Sequence, residues 1–558
     1  MTVYAVFASV LCGLIAPFYY YDVILLYQLS AYRLNELFTA VKRKKILYFI
    51  PFLTVLTVLF AVAATVYAFF RSVAFYWFIL PFIFFAAGVA FFSYKKAKVK
   101  IVISARLRRF AASFALITVM FTLPVVIFYP PYFILAPLPS GAAAFFISHF
   151  LVTPFEKKRN ARFVSSAAEK LRNSTDLIKI GITGSYGKTT AKNILKDFLT
   201  PKYSVCITPG NYNTPMGIAK TVNNELLDDD TAFIAEMGAR YTGDIKELSQ
   251  IVKPAYAMIT AIGNQHLETF GSYEKLLNAK NELVEALPPD GLAVFNGDNE
   301  GCVTLYKRCK CRRLISGRDE AAIESCQKSD AEERVKKKKS SMANSAEKSG
   351  QQEKETAYFS QFDACYGEVR YTAEGTEFTV LLGGKKLRLV TRLIGDHIPS
   401  AITQCALTAF ALGVSPQDIK KAAAALKPVA HRLELLYNGN DVIIDDAYNG
   451  NESGAKNALI ALSRFVPRVR VIVTPGLVEL GERQFAANKE LGEFAAKYCD
   501  YAIFLGPNSD ALLAGALYGG MNPDFVYKVR SLEEVTEILK TIKGEKAVLF
   551  ENDLPDNY

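Results

Sequence analysis

Histidine and tryptophan are nearly missing: the 558 residues hold four of the first and one of the second. Any histidine that falls inside a motif therefore carries more weight than usual. The nine cysteines have no paired CxxC spacing, which argues against a zinc ribbon and against a disulfide framework. Cys309 and Cys311, with Cys302 and Cys326 nearby, read as reduced cytosolic thiols. Acidic residues are almost absent from the first 162 positions: only Asp22, Glu36 and Glu156 stand against 17 Lys/Arg, a net of +14. The remainder then carries −3 of the overall +11, so the basic character belongs to the first third alone. Those basic residues lie between long apolar runs, which points to membrane topology and not to a nucleic-acid partner. No cleavable signal peptide is expected, because the first apolar run is long and lacks a basic n-region.

A spanning helix needs about 20 mostly apolar residues. Val3–Leu26, Ile46–Phe70 and Ser72–Phe92 meet that length, and the proline-interrupted runs Ala111–Phe128 and Tyr132–Val152 bring the expected number to five. Basic residues cluster after the first run (Arg33, Lys42 to Lys45), after the third (Lys95 to Arg109) and after the fifth (Lys157, Lys158, Arg159, Arg162). The positive-inside rule makes those segments cytoplasmic and places the N-terminus outside. A re-entrant hairpin in place of the last two spans leaves the same cytoplasmic side. The sequence thus predicts a transmembrane domain over 1–155, multi-pass in the cell (inner) membrane, then a basic linker over 156–177.

From about Asp176 short β-type runs alternate with helical stretches. Leu177–Thr183 reads as a strand running into Gly184-Ser185-Tyr186-Gly187-Lys188-Thr189-Thr190, with the helix Ala191–Leu199 behind it. Strand, glycine loop, Lys-Thr and helix make a phosphate cradle: backbone N–H groups face the anion, the helix N-terminus adds positive charge, Lys188 reaches the outer phosphates and a threonine hydroxyl ligates Mg²⁺. The strict Walker pattern needs glycine at 182, where Ile182 stands. A Lys/Ser-rich tract from about 318 to 356 reads as a disordered insertion. After Arg432, β-type runs at Val442–Asp445, Val469–Thr474, Tyr501–Leu505, Phe525–Val529 and Ala547–Phe550 alternate with helical stretches, the mark of a parallel, Rossmann-like sheet. The dinucleotide glycine fingerprint is absent, so NAD is not inferred.

Over roughly 178–558 these residues resemble the Mur ligase family, and its MurF branch most closely. The resemblance rests on Thr183 to Thr190 as a short P-loop, Glu236-Met237-Gly238-Ala239, His266-Leu267-Glu268 followed by Phe270-Gly271-Ser272, Ala279-Lys280, Asn296-Gly297-Asp298-Asn299, Arg432-Leu433-Glu434, Asp445-Asp446-Ala447-Tyr448-Asn449 and Glu479-Leu480-Gly481. It implies a central P-loop ATPase domain over 178–430 and a C-terminal Rossmann-like ligase domain over 431–558. It implies ATP-dependent joining of a carboxylate to an amine through an acyl phosphate, in the MurF branch the addition of D-alanyl-D-alanine to a muramoyl tripeptide for peptidoglycan. The implied ATP site is Gly184, Ser185, Tyr186, Gly187, Lys188, Thr189, Thr190, Asn296, Arg432 and Asp446. Two Mg²⁺ ions are implied, the first on Thr189 and Glu236, the second on His266 and a CO₂-derived carbamate of Lys280. Lys188, Lys280 and His266 carry the implied catalytic roles. Asn213 and Thr214, in a stretch resembling a substrate loop, are the implied acceptor contacts.

Plain readings stand beside these: Glu236 capping a turn, His266 as a loop histidine, Lys280 solvated on its helix, Asp446 as a strand-end turn former. Where the family's Gly-x-His-Asn is expected, this chain has Gly395-Asp396-His397-Ile398. The larger departure is that MurF-type enzymes open with a soluble domain for the UDP-sugar, whereas here apolar runs fill that place. The acceptor is then either lipid-linked at the bilayer or UDP-linked with the helices as an anchor. A folylpolyglutamate-type or amino-acid-polymer ligase, and a catalytically silent nucleotide-binding scaffold for wall synthesis, are the competing readings.

Overall fold

The computed structural model describes residues 20–30, most of 32–38, 101–128, 137–263, 270–325, 360–447, 452–478 and 480–552, with scattered positions before residue 20. Packing divides the chain into a unit over 1–162, joined by 554–558, and a unit over 163–553.

In the first unit three helices are described: α1 (Tyr21–Leu29), α2 (Ala105–Phe128) and the first part of α3 (Pro137–Asn173). Tyr27, Phe110, Phe114 and Phe145 are buried together and meet mostly edge-on, an arrangement that aromatic quadrupoles favour. Among the described residues one segment, Ala105–Pro124, is long and apolar enough to cross a membrane. The expected runs Ile46–Phe70 and Ser72–Phe92 lie outside the described residues, as does most of Val3–Leu26. Two expectations change. The run expected to begin at Ala111 is helical from Ala105, and Pro124 does not end it. The expected linker over 156–177 is helical through Asn173. Its part in the second unit carries Phe163, Val164, Ala167, Ala168 and Leu171, a helical spacing that buries one face in the next domain's core.

The second unit holds two sheets. The larger runs in the order β2-β3-β1-β4-β5-β6-β7-β8-β9. Strands β1 (Ile178–Thr183), β2 (Val205–Ile207), β3 (Ala232–Glu236), β4 (Tyr256–Ile259), β5 (Leu292–Asn296), β6 (Arg312–Arg318) and β7 (Ala364–Tyr371) pair in parallel. Strands β8 (Thr376–Leu382) and β9 (Lys385–Thr391) close the edge antiparallel. Parallel strands are covered on both faces and so read as continuous apolar runs, as β3 does, with every residue buried. One face is covered by α5 (Pro215–Asn224), α6 (Asp244–Val252), α7 (Tyr273–Glu285) and α8 (Glu300–Arg308). The other is covered by α4 (Lys188–Leu199), α9 (Ile398–Ala411) and α10 (Pro416–Ala425).

The residues expected to open the insertion at 318 are part of the folded domain. Arg318 ends β6, residues 320–325 are helical, and Ala322 and Ile323 are buried against Cys365 and Leu381. Apolar residues at the head of a charged tract found a core that composition did not show. Residues 326–359 lie outside the described part.

The second sheet has the order β10-β11-β15-β12-β13-β14. Strand β10 (Glu434–Asn438) is antiparallel to β11 (Asp441–Asp446). Strands β12 (Val469–Thr474), β13 (Tyr501–Leu505), β14 (Val526–Val529) and β15 (Lys546–Glu551) continue in parallel, with β15 inserted between β11 and β12. Helices α11 (Glu452–Leu462), α12 (Gln484–Tyr498), α13 (Ser509–Tyr518) and α14 (Leu532–Thr541) alternate with them, matching the expected βα order to within a few residues.

Candidate active site

Strand β1 lies between β3 and β4, so the loop leaving its C-terminal end is flanked by the loops that leave theirs. This is where open parallel sheets bind ligands. Gly184 is required by crowding: a Cβ there would lie 2.1 Å from the Thr260 hydroxyl. Gly187 is required by its backbone, which enters α4 at φ +79°. The loop is braced by β4, with Ser185 N–H donating to Ala261 O at 2.6 Å and Thr260 Oγ1 donating to Tyr186 O at 2.7 Å. Lys188 Nζ turns back over the loop and donates to Gly184 O at 2.7 Å and Ser185 O at 3.1 Å. Enclosure, with Arg432 adding to it and Glu236 opposing, lowers its pKa to about 8. Lys188 thus senses charges from β3 and from the segment leading into the second sheet. Thr190 follows on the first turn of α4.

Glu236 ends β3 and is 2 % exposed. Its Oε2 accepts from Thr189 Oγ1 at 2.9 Å and from Lys192 Nζ at 3.0 Å; its Oε1 accepts from Asn213 Nδ2 at 3.2 Å. It caps no turn. A threonine hydroxyl and a carboxylate held on one atom are hard oxygen donors, the set a Mg²⁺ ion takes. Lys280, on α7, is 3 % exposed and therefore is not the solvated helix lysine of the plain reading. Burial, and then the neighbouring charge of Lys188, bring its pKa to about 7. At neutral pH about half of this amine is unprotonated, against roughly one in a few thousand for a free lysine. The neutral amine is the form that takes up CO₂, so Lys280 suits a carbamate.

Arg432 lies in a bend whose flanking residues, His431 (φ +60°) and Leu433 (φ +48°), both adopt left-handed backbone without being glycine. Asp446 accepts the Leu433 N–H at 3.2 Å. Burial raises its pKa to about 6, with Arg432 opposing. Burial raises the pKa of the Tyr186 phenol in the P-loop, with Ser453 of α11 opposing. The P-loop therefore lies close to the domain of the second sheet.

A sequence model of the Mur ligase middle domain matches residues 182–363, and one of the Mur ligase glutamate ligase domain matches residues 431–551. The chain belongs to the Mur ligase family. Among its relatives are UDP-N-acetylmuramoyl-tripeptide–D-alanyl-D-alanine ligases. The one from Escherichia coli K12 is 26% identical over 379 residues, covering 67% of this chain and 75% of the relative. The one from Bacillus subtilis 168 is 28% identical over 317 residues, covering 56% and 59%. The chain thus spans between about half and three quarters of its curated relatives, which include a Mycobacterium tuberculosis H37Rv ligase aligned over 56% of its length. By structure it is similar to MurF from Acinetobacter baumannii, with TM-score 0.59, 21% identity and coverage of 72% and 78%. It is likewise similar to MurF from Thermotoga maritima in complex with ADP, with TM-score 0.57, 23% identity and coverage of 71% and 81%.

In this Mur ligase the expected residues do not all occupy equivalent places. Lys188, Thr189, Glu236, Asn213 and Lys280 converge around the end of β1. Asn213 approaches through Glu236, while Thr214 caps α5 by accepting the Gly217 N–H. Asn296, expected near the adenine, is already engaged: its amide donates to Thr260 O, and its oxygen accepts from Ser400 Oγ and Asp298 N–H. His266, Tyr448, Asn449 and Glu479 lie outside the described residues. Cys309 and Cys311 lie sulfur to sulfur at 3.3 Å.

Sequence reading passed over several groups. Lys192 looked like one more helix lysine, yet it is fully buried on Glu236. His397 is enclosed beside Arg432, and its pKa is lowered to about 4 by burial. Asp396 pairs with Arg464, whose guanidinium also lies 4.1 Å over the Tyr371 ring, tying the first sheet's domain to the second's. Glu551 at the end of β15 is fully buried beside Asp446, and among the described residues its Oε1 has no partner. Its pKa is raised well above the ordinary carboxylate value by burial first and Asp446 second. Only the lone acid closing an apolar strand could have flagged it.

Proposed function

We propose that this Mur ligase is an ATP-dependent carboxylate–amine ligase of MurF type, adding D-alanyl-D-alanine or a similar amine to a muramoyl peptide. The observation that carries the reading is the convergence of Lys188, Thr189, Glu236 and Lys280 on the end of β1. A carboxylate is a poor acyl donor because oxide leaves badly. ATP converts it to an acyl phosphate, and the amine then displaces phosphate. Negative charge builds on the transferring phosphoryl group, so positioned cations and N–H donors do most of the work. Lys188 exchanges its two loop carbonyls for phosphate oxygens, and the Gly187–Thr189 backbone faces the same anion. Thr189 and Glu236 would hold Mg²⁺, which when bound would supply charge neutralisation at the phosphates. A Lys280 carbamate, with His266, would hold a second ion. Arg432 and Asp446 approach the nucleotide from the second sheet. The test is phosphate release by the full chain in detergent, with ATP, Mg²⁺, D-alanyl-D-alanine and UDP-muramoyl tripeptide. Release that needs neither the amine nor the acceptor would sink the reading.

Asp446 makes the nucleotide step pH-dependent. A group with pKa about 6 loses its proton between pH 5 and 7. The acid limb of kcat/KM for ATP is therefore expected near pH 6, and Asp446→Asn should flatten it. A limb left in place in the variant assigns it elsewhere.

We further propose that the first unit is a membrane anchor, with the ligase domains on the cytoplasmic side. Leu116, Met120 and Phe121 on α2, and Phe150, Leu151 and Phe155 on α3, are exposed although apolar. Helices apolar inside and outside suit lipid. The protein should remain with the bilayer after carbonate extraction at high pH; recovery in the soluble fraction would reject the anchor. If the acceptor is lipid-linked, removing residues 1–155 should abolish turnover of that acceptor and spare a UDP-linked one.

A further inference from the structure

Lys192 is a buried charge that the reaction above does not use. It lies one turn beyond Lys188 on α4, with none of its surface exposed. An ammonium in a core is expensive unless it is paired and fully hydrogen-bonded, and a methionine of similar length would fill the space without that cost. Two of its bonds explain its presence. Nζ donates to Glu236 Oε2 at 3.0 Å and to the backbone oxygen of Gly210 at 2.7 Å.

Gly210 and Asn213 belong to one loop, between β2 and α5. Asn213 Nδ2 donates to the other oxygen of Glu236, and its backbone oxygen accepts the Gly238 N–H at 3.0 Å. The fit is close: a Cβ on Gly238 would come within 2.8 Å of the Asn213 side chain. The same loop is anchored at its start, where Thr208 Oγ1 accepts the Glu236 N–H at 3.0 Å. The loop is thus fastened to one carboxylate at two points, through Lys192 and through Asn213.

We propose that Lys192 is a positioning residue that couples the 208–214 loop to Glu236, so that one buried ammonium sets both the loop that meets the acceptor and the carboxylate that meets Mg²⁺. This rests on the functional reading above for the roles of the loop and of Glu236; the linkage itself does not. Coupling of this kind is reciprocal for binding. Acceptor and Mg²⁺ should each tighten the other, and the effect should fall when Lys192 is removed.

The test is Lys192→Met in the full chain, with Asn213→Ala as a half-buried variant that cuts the second fastening. Amide hydrogen exchange over 208–214 in the nucleotide-free protein should quicken about tenfold in each, the scale of one charge-assisted hydrogen bond. Exchange elsewhere in β1, β4 and β5 should stay as in the parent. In turnover, KM for the acceptor and the Mg²⁺ needed for half-maximal rate should both rise about tenfold, with KM for ATP at saturating Mg²⁺ within about twofold. Unchanged exchange over the loop in both variants overturns the linkage. Exchange that rises evenly through the sheet assigns Lys192 to packing alone and also overturns it. A quickened loop with unaltered acceptor KM overturns the coupling. If the parent shows no turnover with the muramoyl acceptor, the functional reading falls, and the exchange result still decides the linkage.

Discussion

Lys188→Ala is expected to lower acceptor-dependent phosphate release by roughly 10²–10³-fold, the usual scale for removing one preorganised charge from a developing anion. Lys188 is held over the loop by the oxygens of Gly184 and Ser185. Its donors are therefore already aimed where phosphate oxygens would replace those carbonyls. With pKa about 8 it is mostly protonated at pH 7, and an arriving phosphate raises that pKa further. The variant has a second consequence. Lys188 helps to depress the pKa of Lys280, so its loss should move Lys280 upward and leave less neutral amine to take up CO₂. Bicarbonate dependence of the residual activity should accordingly be steeper than in the parent. Activity within tenfold of the parent would falsify the P-loop assignment.

Glu236→Leu should be the most destabilising single change in the site. It strands the buried ammonium of Lys192, a cost of about 3–5 kcal/mol for breaking a buried ion pair from one side. The reverse change is milder, because Glu236 keeps the Thr189 and Asn213 donors when Lys192 is lost. The double variant Lys192→Met/Glu236→Leu removes both charges and should recover most of the stability while remaining inactive. The urea midpoint should fall by about 1 M or more in Glu236→Leu and return toward the parent in the double variant. A single variant as stable as the parent would mean that the pair is not enclosed as described. A double variant with restored turnover would remove Glu236 from the metal site.

How much of this was legible beforehand depended on the range of the interaction. The P-loop announced itself because its strand, glycines, lysine and helix are contiguous, and strand β1 and helix α4 lie where the pattern puts them. The second sheet was legible for the same reason, since βα alternation is local. The partners of Glu236 were only half visible. Thr189 and Asn213 sat in motifs, but Lys192 differs from a solvated helix lysine only through what folds over it. The Asp396–Arg464 pair joins positions 68 residues apart and has no local trace. Asn296 is a motif residue with framework bonds that the motif does not announce: its amide reaches Thr260 O and Ser400 Oγ, the latter 104 positions away. Helical structure through the expected linker was missed because its charges drew attention from the apolar spacing at Phe163, Ala167 and Leu171.

The place of β15 bears on how the protein is made. Strands β11 and β12 do not pair with each other; each pairs with Lys546–Glu551 between them. During synthesis the hairpin β10–β11 and the block β12–β13–β14 emerge early and stay unjoined until residues 546–551 have left the ribosome. The larger sheet has all of its strands by Thr391 and has no such dependence. A nascent chain stalled before residue 546 would therefore carry a phosphate cradle with no second sheet to meet it. Such pairings, distant in sequence, are slow to form and leave strand edges open in the interval. Chaperone demand should peak in that window.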